Sequence, residues 1–230
     1  MNILTFVRRL LPALATGLAL CAAPLVLANP VTLIPTGFAN GSEAFNVSVP
    51  TIVDPNAVST GAFTGTLDGN PITFFCFELT QSFGFGNTYT YDDSIQSGGM
   101  YDTLSELFTE AFATSTSSTL NSAAFQLAVW EILEETTPGS LSPGVNQGTF
   151  WVTNDHGNTT TVTAANALIA GLPSTGLYTI HLLSNGNRQD FIYGNLPLKQ
   201  VPEPAPLLLV GAALVAMLFA LRRVGRGQRA

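Results

Sequence analysis

Cysteine is almost missing from this 230-residue chain: Cys21 lies in an apolar N-terminal run, so Cys76 stands alone in the body of the protein. A lone cysteine in an exported body cannot close an internal disulfide; it pairs between chains, stays free or is used chemically. A free thiol is a liability in an oxidising compartment, so Cys76 is expected to be protected or modified. Basic residues are nearly as scarce. Between Asn29 and Gln200 only Arg188 and Lys199 oppose fourteen carboxylates, a net charge of about −12 against −7 for the whole chain. Such a surface repels nucleic acid and anionic membranes, which excludes nucleic-acid binding and favours solubility outside the cell. Metal-ligand spacing is absent too: Asp92-Asp93 and Asp155-His156 are isolated pairs that read as solvated turns. There is no internal repeat.

The missing positive charge sits at the two ends. Arg8 and Arg9 precede a nearly unbroken apolar stretch, Leu10 to Leu27, closed by Val26-Leu27-Ala28. That order predicts a secretory signal peptide over residues 1–28, cut after Ala28 and carried by the Sec translocon. Leu20, in the place where lipoprotein signals carry a small residue, argues against lipidation at Cys21. At the other end Pro202-Glu203-Pro204 precedes fifteen apolar or small residues, Leu207 to Leu221, and then Arg222, Arg223, Arg226 and Arg229. The apolar run is shorter than the roughly 17–25 residues usual for an unaided membrane span. Its basic flank would stay cytoplasmic. The arrangement suits a transient membrane stop. These residues resemble the PEP-CTERM sorting signal. The resemblance implies recognition by exosortase, a membrane transpeptidase of Gram-negative bacteria, with cleavage near Pro202-Glu203-Pro204. The processed protein would then reach the cell surface, the outer membrane or an extracellular biofilm matrix. The expected organisation is a signal peptide (1–28), an exported domain (29–197) and a linker with the sorting signal (198–230).

The body reads as one α+β domain, antiparallel strands packed around two or three helices. Val31–Ile34 and Ala44–Val49 alternate between breakers and read as edge strands. Residues 61–67 and 72–79 flank Asp68-Gly69-Asn70-Pro71, a hairpin turn. Alternation in the second strand puts Phe75, Phe77 and Leu79 on one face and Phe74, Cys76 and Glu78 on the other. Residues 81–97 read as a loop or irregular strand. Helical spacing predicts helices over about 101–113 and 120–135, with the Thr/Ser tract between them supplying a cap. Strands are expected at 149–153 and 159–162, a short helix at 164–170, and a hairpin pairing 177–183 with 189–193.

In the second helix Ala123, Gln126, Val129, Trp130 and Leu133 share a stripe, while Glu131 and Glu135 point away beside Ala124 and Ala128. A glutamine centred on a buried stripe is expensive unless its amide is satisfied. A core glutamine bonded to backbone is the commonest reason for one. Phe75-Cys76-Phe77-Glu78 together with Gln126-Leu127-Ala128-Val129-Trp130 resembles the thioester domain of bacterial surface adhesins, which has an aromatic-flanked strand cysteine and a Gln-x-Ala-aliphatic-Trp helix. Phe125 stands where that family more often has threonine. The resemblance implies that Cys76 and Gln126 condense with loss of ammonia. Phe75, Phe77 and Trp130 would shield the bond from water. An amine on a partner surface (protein lysine, amino sugar or polyamine) would then be captured once. No enzyme turnover and no cofactor are expected. Lys199 is the only lysine, which would spare the bond a self-nucleophile, although an acidic composition explains that equally well.

Three rival readings stand beside this one. A structural exopolysaccharide- or biofilm-associated surface protein would use Cys76 merely as a small core residue. A cysteine hydrolase would need His156 or His181 as base. A carbohydrate-binding module would use Tyr89, Tyr91 and Trp151 as platforms.

Overall fold

The computed structural model describes residues 29–49, 52–53, 57–135 and 148–196. The expected signal peptide, most of the loop after Pro138 and the whole sorting segment lie outside the described residues. Among the described residues, short runs rich in Thr, Val and Phe, broken by Gly and Asn, form ten strands. They are β1 (Asn29–Phe38), β2 (Glu43–Val49), β3 (Ile52–Val53), β4 (Val58–Thr60), β5 (Phe63–Leu67), β6 (Asn70–Cys76), β7 (Tyr89–Gln96), β8 (Trp151–Asn154), β9 (Thr179–Ser184) and β10 (Phe191–Asn195). Three helices accompany them among the described residues: α1 (Met100–Ser115), α2 (Thr119–Glu134) and α3 (Thr159–Ala170). Six strands close an antiparallel barrel in the order β1-β5-β6-β10-β9-β7. A smaller sheet holds β3, β2 and β4, with β8 paired to β2. The antiparallel α+β expectation holds.

The β5–β6 turn has φ 48° at Asp68 and 82° at Gly69. Two left-handed residues suit the right-handed twist of a two-residue hairpin, which is why Asp-Gly works here. Asp68 Oδ1 also accepts from the Thr32 amide at 2.7 Å, tying the turn to β1.

Four expectations need correcting. β1 is no edge strand: barrel closure pairs it with β5 on one side and β7 on the other. Pro35, which cannot donate to a ladder, sits where the β1–β5 register shifts. Of the loop or irregular strand expected over 81–97, the end of the segment is the strand, and a regular one: β7 is a full barrel strand whose Tyr91 points into the core while its polar neighbours alternate outward. Residues 159–162 begin α3 rather than forming a strand. Thr161, Val162 and Ala165 are buried there, so tertiary packing overrides the β-branched propensity of Thr159-Thr160-Thr161-Val162. Finally, α2 has no exposed face along its middle: Ser122 to Ile132 are all buried, including Ala124, Ala128 and Glu131. It lies between α1, α3 and the strands β2, β4 and β6, so it needs apolar or partnered residues all round. Ser118 caps it, accepting from the Asn121 amide at 3.1 Å.

Two cores result. One fills the barrel and continues to the small sheet, with Leu33, Phe74, Cys76, Tyr91, Trp130, Phe150, Leu183 and Phe191. The other seals the barrel's outer wall to the helices through Phe75, Phe108, Phe125, Ile180 and Ile192. Here Gly194 is required by close approach: a Cβ would lie 2.4 Å from Phe108 Cδ1. Gly194→Ala should therefore overpack this seam and cost about 1–3 kcal/mol. Thermal denaturation with an unchanged midpoint would show that the ring can step aside.

Candidate functional site

Strand β6 lies between β5 and β10 in the barrel. Its last partner in β5 is Phe63, opposite Phe74, so beyond that point the ladder on this side runs out. The Phe77 amide turns the other way and donates to Asp190 O at 2.9 Å. Alternation therefore leaves the N–H and C=O of Cys76 facing the vacated side, inside the protein. The Gln126 carboxamide fills that place. Cys76 N–H donates to Gln126 Oε1 at 2.8 Å, and Gln126 Nε2 donates to Cys76 O at 3.0 Å. The amide behaves as the peptide of a missing strand, and its four-bond reach from α2 makes the burial of a glutamine affordable.

The two groups named by the sequence thus meet. Both are buried, Gln126 at 1% exposure and Cys76 at 6%. The polar contacts involve the Cys76 main chain, and the thiol is free. Burial, reinforced by the negative charge of Glu78, pushes the Cys76 thiol far above its ordinary range. The sulfur is therefore a neutral thiol at ordinary pH. Any attack it makes needs a partner to take its proton.

The aromatic shell differs from the expectation in its layout. Phe75 faces away from the thiol and packs on Phe125 with ring centroids 4.5 Å apart. It seats α2 on β6 and so fixes Gln126 rather than covering the sulfur. Phe77, half-buried, joins the same outer cluster. Trp130, one helical turn beyond Gln126, does lie on the thiol side. It shares with Cys76 the wall of a cavity of about 390 Å³, together with Phe38, Phe63, Phe83 and Phe85. The Phe83-Gly84-Phe85 segment lies in the stretch read as a loop or irregular strand, and it supplies part of the cover that Phe75 was expected to give.

Neither histidine partners the thiol among the described residues. His156 Nε2 bonds the Asn46 side chain by the small sheet. His181 Nδ1 lies 3.0 Å from Asp93 Oδ1, and Tyr193 OH donates to Asp93 Oδ2 at 2.8 Å. The imidazole also stacks on Tyr193 at 4.5 Å. This is a satisfied network at the barrel wall, made without Cys76. Tyr91, proposed as a surface platform, is instead core, donating its hydroxyl to Gln189 O at 2.8 Å. Among the described residues no group of three or more His, Cys, Asp or Glu could hold a metal ion.

The network carries its own pH signature. Burial pushes the Asp93 carboxyl up, but hydrogen bonds from His181 and Tyr193, with the charge of His181, outweigh it and leave the group below its usual range. A carboxylate lowered on folding stabilises the fold above its unfolded value, about 3.9, and loses that contribution as pH falls through the lowered one. The stability gap between wild type and Asp93→Asn should accordingly be full above about pH 4 and close below it. Urea midpoints from pH 2 to 6 check this; a gap independent of pH would contradict it.

Residues 200–224 match the family described as the PEP-CTERM protein-sorting motif. The motif marks the chain for export and for sorting to the cell surface by exosortase. No curated protein and no solved structure matches the chain.

Proposed function

We propose that the exported body is a covalent capture device, armed by an internal thioester between Cys76 and Gln126. The observation that supports it is the two-point seating of the Gln126 carboxamide on Cys76. The Cys76 N–H polarises the carbonyl to be attacked, and the Cys76 C=O holds the nitrogen that must leave. In the closing step Cys76 Sγ bonds to the Gln126 side-chain acyl carbon, the C–N bond breaks, and the thiol proton leaves with the nitrogen as ammonia. Such positioning can supply an effective concentration on the order of 10⁵ M. In the capture step a primary amine bonds to the same carbon, the C–S bond breaks and the thiol returns. The product is an amide, so each molecule acts once and needs no cofactor. Export and sorting by exosortase would place this reactive bond where amine-bearing surfaces are met, and adhesion is the function that follows.

Intact mass of the purified 29–196 body tests the reading. The expected mass is one ammonia below that of the unmodified sequence, and methylamine should restore it by forming the N-methyl amide. A full, amine-insensitive mass would leave the other reading, a non-reactive surface or matrix protein. The same hydrogen bonds favour that reading too, since they complete the end of β6 without any chemistry.

A further inference from the structure

The cavity beside Cys76 has a polar side that the fold uses only in part. Glu78 follows Cys76 by two residues and lines the same space, as do Gln81 and Trp130. Among the described residues, the Trp130 indole N–H and the Gln81 side-chain carbonyl are buried without a hydrogen-bond partner. Trp130 is 1% exposed, so its unmet donor is costly unless something enters. The rest of the wall is mainly apolar, with Ser59, Ser82 and Gln189 as its other polar members. Its phenyl face is Phe38, Phe63 and Phe83, which meet at ring-centroid distances of 4.8 and 5.1 Å. A slot that combines phenyl rings with a carboxylate and an unmet acceptor fits a free amine on an apolar stem, whose N–H groups those acceptors would receive.

We propose that this cavity admits a primary amine carried on an unbranched alkyl stem, and that Glu78 is the group that moves its proton. The proposal rests on the thioester reading and adds the substrate's shape and the proton's route. Glu78 is held in place by Thr80 Oγ1, which donates to Oε2, and by the Asp190 amide, which donates to Oε1 at 3.4 Å. Its carboxylate keeps lone pairs for the N–H groups of an incoming free amine, which has left its extra proton in solvent, and Gln81 Oε1 offers a second acceptor. As the amine nitrogen bonds to the acyl carbon it becomes acidic. Glu78 takes that proton and delivers it to the departing Cys76 sulfur as the C–S bond breaks. Sulfur returns as a thiol and no charge is stranded among the phenyl rings. Run backwards with ammonia as the amine, the same shuttle carries the thiol proton to the leaving nitrogen when the ring closes. A hydroxylated amino sugar would bring polar groups against Phe38, Phe63 and Phe83 and lose their hydration without return.

Capture rates measured by intact mass separate the possibilities. Wild type should take n-butylamine at least tenfold faster than glucosamine at equal free-amine concentration. Glu78→Gln should fold with a similar melting midpoint and lose 10²-fold or more in ring closure or capture, the range of general acid–base catalysis. Glu78→Asp should recover part of the rate. A wild type that loses ammonia while Glu78→Gln closes and captures at the same rate would overturn the shuttle. Equal rates for butylamine and glucosamine would overturn the slot, with no variant needed. A wild type that never loses ammonia would remove the thioester and this proposal with it.

Discussion

A Gln126→Ala variant should unfold roughly 2–5 kcal/mol more easily than a Cys76→Ala variant of the same chain. Both substitutions remove any cross-link, so the comparison isolates the carboxamide. Alanine at 126 strips the partners from Cys76 N–H and Cys76 C=O, which are buried where β5 no longer reaches. Each unmet group costs about 1–3 kcal/mol, and the space left behind adds to it. Alanine at 76 keeps both hydrogen bonds, because they belong to the main chain. Gln126→Glu would be no remedy: it keeps an acceptor for the N–H but turns a donor into an acceptor facing Cys76 O, and it buries a charge. Urea denaturation of the two alanine variants gives the difference. A gap under about 0.5 kcal/mol would mean that the carboxamide is not the substitute strand described above.

Much of this was legible from residue patterns. Helical periodicity found α1 and α2 within a residue or two, and Asp68-Gly69 announced its hairpin because only a turn explains that pair between two Phe/Thr runs. Alternation placed Phe74 and Cys76 on one face of β6 and Phe75 on the other. Closure of the barrel was not legible. It depends on β1 meeting β7 some sixty residues away, a pairing that no local pattern carries. The same closure turned an apparent edge strand into an interior one and gave the polar segment of β7 a place. Gln126 was read as buried on a stripe, yet the environment of its helix is set by two helices and three strands arriving from elsewhere, which is why Glu131 and Ala128 are buried as well. The shielding rings went astray for a related reason. Phe75 and Phe77 are next to Cys76 in sequence, but adjacent residues in a strand face opposite ways, and the cover comes from Phe63, Phe83 and Phe85 on other segments. Glu78, on the same face as the thiol, was visible from alternation alone. Its significance depended on a cavity that only the fold assembles.

Methylamine should destabilise wild type while leaving Cys76→Ala untouched, and the size of the effect follows from chain entropy. A thioester would close a loop spanning 50 residues of sequence separation. By the loop-closure relation used for disulfides, a covalent tie of that span stabilises by about 4 kcal/mol. Against this, the leaving nitrogen takes with it the bond to Cys76 O, worth about 1 kcal/mol. The net gain for the closed form is then about 3 kcal/mol. Aminolysis opens the loop and restores an amide N–H, so the treated protein should lose that gain and melt close to Cys76→Ala. The remaining difference is the sulfur itself, about 1 kcal/mol of buried packing. Cys76→Ala is the better control than Cys76→Ser, because a serine hydroxyl would sit against Phe74 and Phe191 with a new unmet donor. Differential scanning calorimetry of treated and untreated protein, with intact mass on the same samples, decides the matter. If mass shows ring closure and opening but the midpoints coincide, strain in the closed native form, or contact between β6 and α2 that persists in the unfolded chain, has cancelled the loop-closure gain. The hydrogen-bonded carboxamide would then hold strand to helix as well as the covalent link does.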